Sequence, residues 1–393
     1  MITSTQKSFW RDPRASTSRK VVFQLHLWSG LLLGVYLLVI GLTGSAIVFR
    51  GEIEDAIHSQ LTRVSPGKEP VLVQPLLDAA QQLEPGARFQ TINLPAHPRQ
   101  SLSIWGHDAE GHSFQVYFNP WTGAYIGRAL ADDNLTEWLY ELHANLLGGA
   151  TGEFINGIAA ILSCALLLSG LAVWWPGTGR ILSEGLAYRR RAGSKRRNHD
   201  LHRLTGIASV ALLLLVTITG IWFVFPEPFR AFAEFSTQSI SHKDSPVSDP
   251  ENRHLPRISI DDALLAANAV LSTTAANWVG LPADSSDVFS IRKRLPGEWR
   301  LDGMNYIHID PQTGDLIRAD LQEASTPAQR LLRTFFPLHA GTFGGMTTRI
   351  LWVALGLTPG LLMVSGILMW WRRAVRPARI RRQRKHRTPL ATV

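Results

Sequence analysis

The stretch LHLWSGLLLGVYLLVIGLTGSAIVF, residues 25–49, ends an apolar window that begins at residue 21 and contains no Asp, Glu, Lys or Arg. A helix rises about 1.5 Å per residue, so about 20 apolar residues cross the ~30 Å hydrocarbon core of a membrane. Three further windows have the same character, namely residues 154–175, 204–225 and 350–371. The sequence therefore predicts four spanning helices. The first window is longer than the about 7 to 15 apolar residues of a signal peptide, which favours an uncleaved anchor.

Basic residues are concentrated beside these windows, in residues 1–20, 176–203 and 372–393. Together the three segments hold 22 Lys and Arg against 3 Asp and Glu, although the whole chain has 40 against 31. The positive-inside rule then places both termini and the loop between the second and third windows in the cytoplasm. We interpret the basic runs as topology signals that touch anionic membrane lipid, and we expect no nucleic-acid partner.

The windows and the charge map divide the chain into alternating cytoplasmic, spanning and outside segments. Two long segments lie outside, one after the first window and one after the third. The predicted boundaries are a basic N-terminus (1–20), a first span (21–49), a first outside domain (50–140), an interfacial helix with the second span (141–175), a basic loop (176–203), a third span (204–225), a second outside domain (226–334), an interfacial segment with the fourth span (335–371) and a basic tail (372–393).

The two halves of the chain repeat the same motifs in the same order. A repeat of this kind predicts a tandem duplication, whose unit is a span, an outside domain and a second span. The matching pairs are LHLWSG (25–30) with LHRLTG (201–206), LTGSAIVF (42–49) with ITGIWFVF (218–225), LYELHANLLGG (139–149) with FFPLHAGTFGG (335–345), and the Ser-Gly (169–170 with 365–366) and Trp-Trp pairs (174–175 with 370–371).

Each outside segment predicts one helix and a short antiparallel sheet. Apolar residues recur at helical spacing in VQPLLDAAQQL (73–83) and SIDDALLAANAVL (259–271). Alternating runs such as SLSIWGH (101–107) and HSFQVYF (112–118) predict strands. Pro-x-Thr-Gly segments at 120–123 and 311–314 predict tight turns between strands. We therefore expect two small α+β domains outside the membrane.

Four histidines occupy matching places in the two halves. His26 and His202 each begin a span on the cytoplasmic side, and His143 and His339 each precede a span on the outer side. Two parallel copies of the unit are related by an axis along the membrane normal, so a residue and its equivalent lie at the same depth. The sequence predicts one inner pair, His26 with His202, and one outer pair, His143 with His339.

Paired imidazoles in apolar surroundings are the ligand set of a haem iron. We therefore predict two haems, with the inner one held by His26 and His202 and the outer one by His143 and His339. The alternative is that these histidines are interfacial anchors with an apolar body and a polar edge. The single cysteine, Cys164, lies within a span, so neither a cysteine-ligated cluster nor a covalently attached c-type haem is expected.

Several other residues have more than one interpretation. His199 could replace His202 as a ligand or bind a haem propionate, although a solvated place in the basic loop is favoured. Arg50, Arg203 and Arg349 lie at span edges, where they pair with haem propionates or act as interfacial anchors. The chain contains no Gly-x-Gly-x-x-Gly after a predicted strand and no P-loop, so electrons have to arrive from a cytoplasmic partner or a quinol.

The Leu-His motifs, the Pro-x-Thr-Gly turns and the terminal Trp-Trp pair resemble the PepSY-associated transmembrane helix family over about residues 20–375. Members similar to this chain are di-haem ferric-siderophore reductases of the ferrioxamine type in the bacterial inner membrane. The resemblance implies two haem b groups bound by His26, His143, His202 and His339. It also implies a four-helix transmembrane bundle with two PepSY-like periplasmic α+β domains.

The expected function is reduction of a ferric siderophore from Fe(III) to Fe(II) on the periplasmic side. The outer haem is the expected electron donor, and a cleft between the two outside domains is the expected place for the chelate. Two alternatives remain open. One is a quinol-linked membrane cytochrome that serves another periplasmic acceptor. The other is a membrane protein without enzymatic activity, whose PepSY domains bind peptides or regulate a peptidase.

Overall fold

The computed structural model describes residues 17–130, 134–176, 180–241 and 245–375. The predicted basic N-terminus falls mostly outside these residues, as does the basic tail from residue 376 onward. The chain forms two compact units, and each is described by itself. The membrane unit comprises Met1–Val48, Leu142–Phe225 and Ile350–Val393, and the sheet unit comprises Phe49–Glu141 and Pro226–Arg349.

The described residues form twelve α-helices and eight strands. In chain order they are α1 (Thr17–Ile47), α2 (Arg50–Ile57), α3 (Ser59–Thr62), α4 (Gln74–Leu83), β1 (Arg88–Asn93), β2 (Leu102–His107), β3 (Ser113–Phe118), β4 (Tyr125–Leu130), α5 (Leu135–Asn145), α6 (Gly149–Trp174), α7 (Ser194–Val224), α8 (Pro226–Thr237), α9 (Ile260–Val270), β5 (Ala276–Gly280), β6 (Phe289–Lys293), β7 (Asn305–Ile309), β8 (Leu316–Asp320), α10 (Pro327–Arg333), α11 (Phe335–Ala340) and α12 (Gly345–Trp370). Short π-helical turns lie at Ile181–Gly185 and Trp371–Val375.

Helices α1, α6, α7 and α12 are the long apolar ones in the described part of the chain, and each is long enough to cross a membrane. This confirms the predicted four helices of spanning length and composition. The helices are longer than the apolar windows. The largest difference is in α7, which begins at Ser194, ten residues before its window. The second part of the basic loop is therefore helical and continues directly into the third span.

Small residues bring α1 and α12 into close contact within the membrane unit. A Cβ atom added to Gly41 would lie 2.3 Å from the carbonyl oxygen of Gly356. One turn further along α1, the Ser45 hydroxyl donates a hydrogen bond to the carbonyl oxygen of Val353 at 3.0 Å. Close backbone approach and interhelical hydrogen bonds of this kind stabilise helix pairs in lipid, where burial of apolar surface does not.

The sheet unit is built on one eight-stranded antiparallel sheet with the strand order β4-β3-β2-β1-β5-β6-β7-β8. Each half of the chain contributes four consecutive strands, and β1 pairs with β5 at the centre, with Ile92 opposite Val279. Helices α4 and α9 contribute to one hydrophobic core with the sheet. Its fully buried members include Ile92, Ile104, Phe114, Val116, Phe118, Val279, Ile291, Ile307 and Ile309, together with Ala80 of α4 and Ala263 of α9.

The helices of the two halves are also joined to each other at their N-termini. The Asp261 carboxylate accepts hydrogen bonds from the backbone amides of Val73 and Gln74, at 2.8 and 2.9 Å. In return, the Gln74 side-chain oxygen accepts one from the amide of Ile260 at 3.0 Å. The first amides of a helix have no partner within the helix, so each half satisfies orphan donors of the other.

The sequence predicted two separate outside domains, whereas the described strands of both halves share one sheet. Each half alone would leave β1 or β5 as an unpaired edge, and pairing the two satisfies both rows of backbone groups. Because β1 and β5 are hydrogen-bonded neighbours, the expected cleft between two domains is absent at this junction. The predicted helix and antiparallel strands of each half are present, with four strands in each, and the predicted turns are confirmed, since Gly123 and Gly314 have φ of 74° and 77°.

Candidate functional site

The predicted ligand His26 lies in α1 and contacts α6. Its Nδ1 lies 3.2 Å from the carbonyl oxygen of Leu166 and 3.0 Å from the hydroxyl of Ser169. A carbonyl oxygen only accepts hydrogen bonds, so Nδ1 carries the proton and donates it. The ring edge lies against Gly170, where an added Cβ would be 2.9 Å from Cε1 of His26. Glycine at this position therefore makes room for the imidazole.

His202 makes the matching set of contacts in the second half. It lies in α7, and its Nδ1 is 2.8 Å from the hydroxyl of Ser365 in α12. Gly366 faces the ring, with an added Cβ 3.6 Å from Cε1. His26 and His202 both lie in the membrane unit, and the pairing of these two residues stays a prediction.

His143 repeats the arrangement near the other end of α1. It lies in α5, and its Nδ1 is 3.1 Å from both the carbonyl oxygen of Ile40 and the hydroxyl of Thr43. An added Cβ at Gly44 would be 2.9 Å from Cε1 of the ring. Burial of the imidazole lowers the pKa of His143 to about 4, so the ring is neutral at neutral pH.

The three histidines have the same surroundings. In each case a Ser or Thr followed by Gly lies on a neighbouring helix, where the hydroxyl contacts Nδ1 and the glycine lies against the ring. Each of the three hydroxyls already donates its proton within its own helix, at 2.7 to 2.8 Å; they belong to Ser169, Ser365 and Thr43. The hydroxyl oxygen therefore accepts from Nδ1–H, and the hydrogen-bond network assigns the tautomer with the lone pair on Nε2. A metal-binding imidazole is oriented in this way, with the second ring nitrogen donating to an acceptor.

The fourth predicted ligand, His339, lies in α11, which ends at Gly341 with φ of 71°. His339 belongs to the sheet unit and His143 to the membrane unit, so the pairing of these two residues stays a prediction. At the sequence level, Thr219-Gly220 repeats Thr43-Gly44 at the offset of 176 that relates the first and third spans. The sequence thus contains a fourth hydroxyl–glycine pair for the fourth histidine.

Comparison with known families identifies the group to which these features belong. The model of the PepSY-associated TM region matches residues 23–373. The chain belongs to this family. The match includes α1, which carries His26, and continues through α12, which carries the Ser365-Gly366 pair. A comparison with curated proteins finds no match to this PepSY-associated TM protein.

The arginines at the span edges of this PepSY-associated TM protein have protein partners. Arg203 donates to the backbone carbonyls of Glu184 and Ala187. Arg349 makes a bidentate pair with Glu52, with N–O distances of 2.6 and 2.7 Å. The third, Arg50, pairs with the carboxylate of Glu137 and lies over the ring of Tyr140. These contacts favour the interpretation as anchors over the interpretation as propionate partners.

The remaining histidines are less well placed for haem. His199 is half exposed, and its Nδ1 lies 3.6 Å from the buried carboxylate of Asp200, in agreement with a place at the edge of the basic loop. At the β2–β3 hairpin of this PepSY-associated TM protein, His112 comes within 4.8 Å of ligand atoms of Asp108 and Glu110. Arg128 already pairs with Asp108 at 3.3 Å, which weakens the attraction of this exposed group for a cation.

The sequence singled out the histidines and noted the repeated Ser-Gly pair, but it did not assign the hydroxyl–glycine pairs a role. The missed residues are Thr43, Gly44, Ser169, Gly170, Ser365 and Gly366. Their signal is present in the repeat, because each pair lies at the same offset from its counterpart as the surrounding span. Only the fold shows that each of these pairs lies against an imidazole.

Proposed function

We propose that this chain is a di-haem electron-transfer protein of the bacterial inner membrane that reduces ferric siderophores in the periplasm. The observation that carries the proposal is the common tautomer of His26, His202 and His143, in which Nδ1 donates and Nε2 is the ligand atom. Neutral imidazole with a fixed Nδ1–H is the form that binds haem iron. The donor set and the glycine-lined ring sites of the described residues therefore fit haem.

Two levels of histidines support two separate centres. His26 is 17 residues from Thr43, the residue of α1 that contacts His143, which corresponds to about 25 Å along a helix. One group could not be shared by His26 and His143 over such a distance. The inner centre would take Nε2 of His26 and His202, and the outer centre would take His143 and His339.

A bound haem supplies one-electron redox chemistry at a potential that the protein adjusts. The chain itself supplies the remaining conditions. The hydroxyl–glycine pairs hold each imidazole in one orientation, and spans that are apolar along their length keep water and counter-ions away from the centres. Both features lower the reorganisation that accompanies a change of charge on the iron.

The substrate class follows from the chemistry of iron. A siderophore holds hard Fe(III) through oxygen ligands, and the softer, less charged Fe(II) is bound far less tightly by the same ligands. Addition of one electron to the chelate therefore releases the metal without breaking a covalent bond. A cytoplasmic partner or a quinol would provide the electron, with His26 and His202 holding the centre on the cytoplasmic side and His143 and His339 the centre nearer the chelate.

The topology and the history of the chain are part of the same proposal. The basic segments support an orientation with both termini in the cytoplasm and with the sheet unit, made of two PepSY-like halves, in the periplasm. A tandem duplication is supported by the matching strand order on either side of the β1–β5 pair and by the repeated hydroxyl–glycine pairs.

The decisive experiment is optical spectroscopy on the purified protein. We expect a reduced-minus-oxidised spectrum of bis-imidazole haem b and two haems per chain. Stopped-flow mixing of the reduced protein with a ferric siderophore should oxidise the haems. The Ga(III) form of the same siderophore is the matched control, because it has nearly the same size and charge but accepts no electron.

The other outcomes separate the alternatives. Haem without oxidation by any ferric chelate, but with rapid exchange of electrons with a quinol, would favour a quinol-linked cytochrome for another acceptor. Protein that carries no haem when produced in haem-sufficient cells would refute the proposal. It would favour a peptide-binding or peptidase-regulating membrane protein in which the histidines are structural.

A further inference from the structure

A polar pair inside the membrane unit links α1 to α6 and, through it, to the helix that carries His143. The Tyr36 hydroxyl donates to the side-chain oxygen of Asn156 at 2.7 Å. The Asn156 amide nitrogen in turn donates to the carbonyl oxygens of His143 and Ala144, at 2.9 and 2.8 Å. Polar side chains within apolar spans are costly unless they are paired, and here each one has a partner.

The carbonyls that Asn156 reaches are among the last ones of α5. The last four carbonyls of a helix have no partner within it, and a buried helix end needs other donors. Asn156 supplies both of its N–H groups to this helix end. Tyr36 fixes which way round the amide is held, because a hydroxyl donor requires the amide oxygen on its side and leaves the nitrogen for the carbonyls.

The chain leaves α5 through a strained backbone. Leu146 and Leu147 have φ of 55° and 59°, a left-handed conformation that is unfavourable for residues with a Cβ atom. Such strain persists only where surrounding contacts hold it in place. A second contact lies at Gly152, where an added Cβ would be 1.8 Å from the carbonyl oxygen of Asn145. The side chain of Asn156 and the close approach at Gly152 hold the end of α5 against α6.

The second half of the chain ends its equivalent helix by other means. By the repeat offsets, Leu212 takes the place of Tyr36 and Trp352 takes the place of Asn156. The second half therefore has neither the hydroxyl nor the side-chain amide of this pair. Helix α11 ends instead at Gly341, which adopts the left-handed conformation without strain from a Cβ atom, and the Thr348 hydroxyl donates to its carbonyl oxygen at 2.6 Å. The polar pair is therefore specific to the half that carries His143.

We propose that Tyr36 and Asn156 are positioning residues for His143: Asn156 caps α5, Tyr36 orients Asn156, and together they fix the depth and orientation of this imidazole. The proposal deepens the proposed function and rests on it only in so far as His143 is a haem ligand. The pair acts on one outer ligand alone, so its loss should change one haem and leave the other unchanged.

The test uses Asn156→Leu, which removes both donors, and Tyr36→Phe, which removes one hydroxyl and keeps the ring. The matched control is Asn198→Leu, since Asn198 likewise donates from a span helix to a backbone carbonyl, that of Ser365 at 2.9 Å, near His202 instead. Two measurements are made on the full-length protein in nanodiscs. One is hydrogen exchange of the backbone amides of residues 139–147, and the other is the low-spin haem signal in electron paramagnetic resonance.

We expect Asn156→Leu to accelerate exchange in residues 139–147 by about tenfold, as the loss of two hydrogen bonds to the helix end predicts. Tyr36→Phe should give a smaller increase in the same peptide. Both variants should shift one haem signal and leave the other in place. Asn198→Leu should leave exchange in residues 139–147 and the signal affected by Asn156→Leu unchanged.

Unchanged exchange in both variants would overturn the proposal, and so would faster exchange with both haem signals unaltered. Wild-type protein without haem would refute the proposed function by itself. In that case the exchange measurement still decides whether Asn156 holds the helix of His143, with faster exchange in Asn156→Leu supporting the positioning role and equal exchange overturning it.

Discussion

Nδ1 of His202 donates to the hydroxyl of Ser365 at 2.8 Å, and that hydroxyl donates its own proton to the carbonyl of Leu361 at 2.7 Å. The proton of Ser365 is thus committed to its own helix, and its oxygen is left to hold the imidazole. A serine one turn from the nearest backbone acceptor thereby fixes the tautomer of a residue on another helix.

Removal of this hydroxyl should weaken the binding of the inner haem. Ser365→Ala leaves Nδ1–H with fewer acceptors and lets the ring rotate, and loss of a partner behind a metal ligand lowers metal affinity by about 10- to 100-fold. The measurement is the rate at which haem transfers from the purified protein to apomyoglobin. We expect the inner haem to leave faster and the outer haem to leave at its wild-type rate.

The control for Ser365→Ala is Ser209→Ala. Ser209 is also buried in a span, but among the described residues its hydroxyl donates to Thr205 of its own helix at 2.8 Å and forms no hydrogen bond with a predicted ligand. Equal rates of haem loss in the two variants would contradict the assigned role of Ser365.

A graded series of glycine substitutions tests the ring sites. A Cβ at Gly170 would lie 2.9 Å from Cε1 of His26, which is closer than side-chain atoms approach, whereas a Cβ at Gly366 would lie 3.6 Å from His202, an ordinary contact. Gly170→Ala should therefore displace His26 and remove or shift the inner haem, while Gly366→Ala should retain it. The haem-to-protein ratio and the redox titration of each variant measure the difference.

Gly30→Ala serves as the control for a glycine in α1 that faces no histidine, since its nearest neighbour would be a Leu166 methyl at 3.7 Å. We expect wild-type haem content in this variant. A loss of haem in Gly30→Ala equal to that in Gly170→Ala would mean that the spans tolerate no added methyl group, and the specific contact with His26 would lose its support.

Much of this arrangement is predictable from the sequence, because it depends on local patterns. Apolar windows of membrane length give the spans, and the repeat places His26, His143, His202 and His339 at matching positions. The helix and strand content of the sheet unit follows from periodicity. The spans, helices and strands depend on side-chain spacing within about 30 neighbouring residues, and the repeat is visible as matching motifs at offsets of 176 and 196.

The unpredicted features all involve partners that are distant in sequence. His143 meets Thr43 across 100 positions, and Tyr36 meets Asn156 across 120. The pairing of β1 with β5 joins strands that are separated along the chain by two spans. The periodicity of a strand indicates which of its faces is buried, but it does not indicate which strand lies beside it. Leu146 and Leu147 give no sign of a left-handed backbone, since their conformation is imposed by the helices around them.

The two levels of histidines predict independent loss of the two haems. His26→Ala should remove the inner haem and His143→Ala the outer one, because His26 and Thr43, the α1 residue that contacts His143, lie about 25 Å apart along the helix. Haem per chain, measured by the pyridine haemochromogen assay, should fall from two to one in each variant. Their reduced spectra should differ, since each retains a different centre.

The double variant His26→Ala, His143→Ala should retain no haem. His58→Ala is a control outside the predicted set, because His58 lies in the sheet unit between α2 and α3. If His26→Ala and His143→Ala deplete the same spectral component, the assignment of these residues to separate centres is wrong.

The ion pair of Glu52 with Arg349 predicts a pH-dependent contribution to the stability of the sheet unit. Hydrogen bonding to the Arg349 guanidinium lowers the pKa of Glu52 below its ordinary value of 4.5. The carboxylate form is therefore favoured in the folded state, and the stabilisation is fully present above pH 4.5. It is lost as the pH falls through the lower folded-state pKa. Since Glu52 is half exposed, we expect Glu52→Gln to cost about 1 kcal/mol at pH 7.

Thermal unfolding of the wild type and Glu52→Gln measures this contribution. The difference in melting temperature should be present at pH 7 and should vanish at a pH below the folded-state pKa, where wild-type Glu52 is also uncharged. Glu227→Gln provides the comparison, because the Arg230–Glu227 pair has a similar N–O distance of 2.6 Å but a Glu side chain that is 76% exposed. Its effect should be smaller at pH 7, since solvent screens an exposed pair more strongly. A Glu52→Gln difference that persists unchanged at low pH would show that packing, and not the charge of Glu52, stabilises this contact.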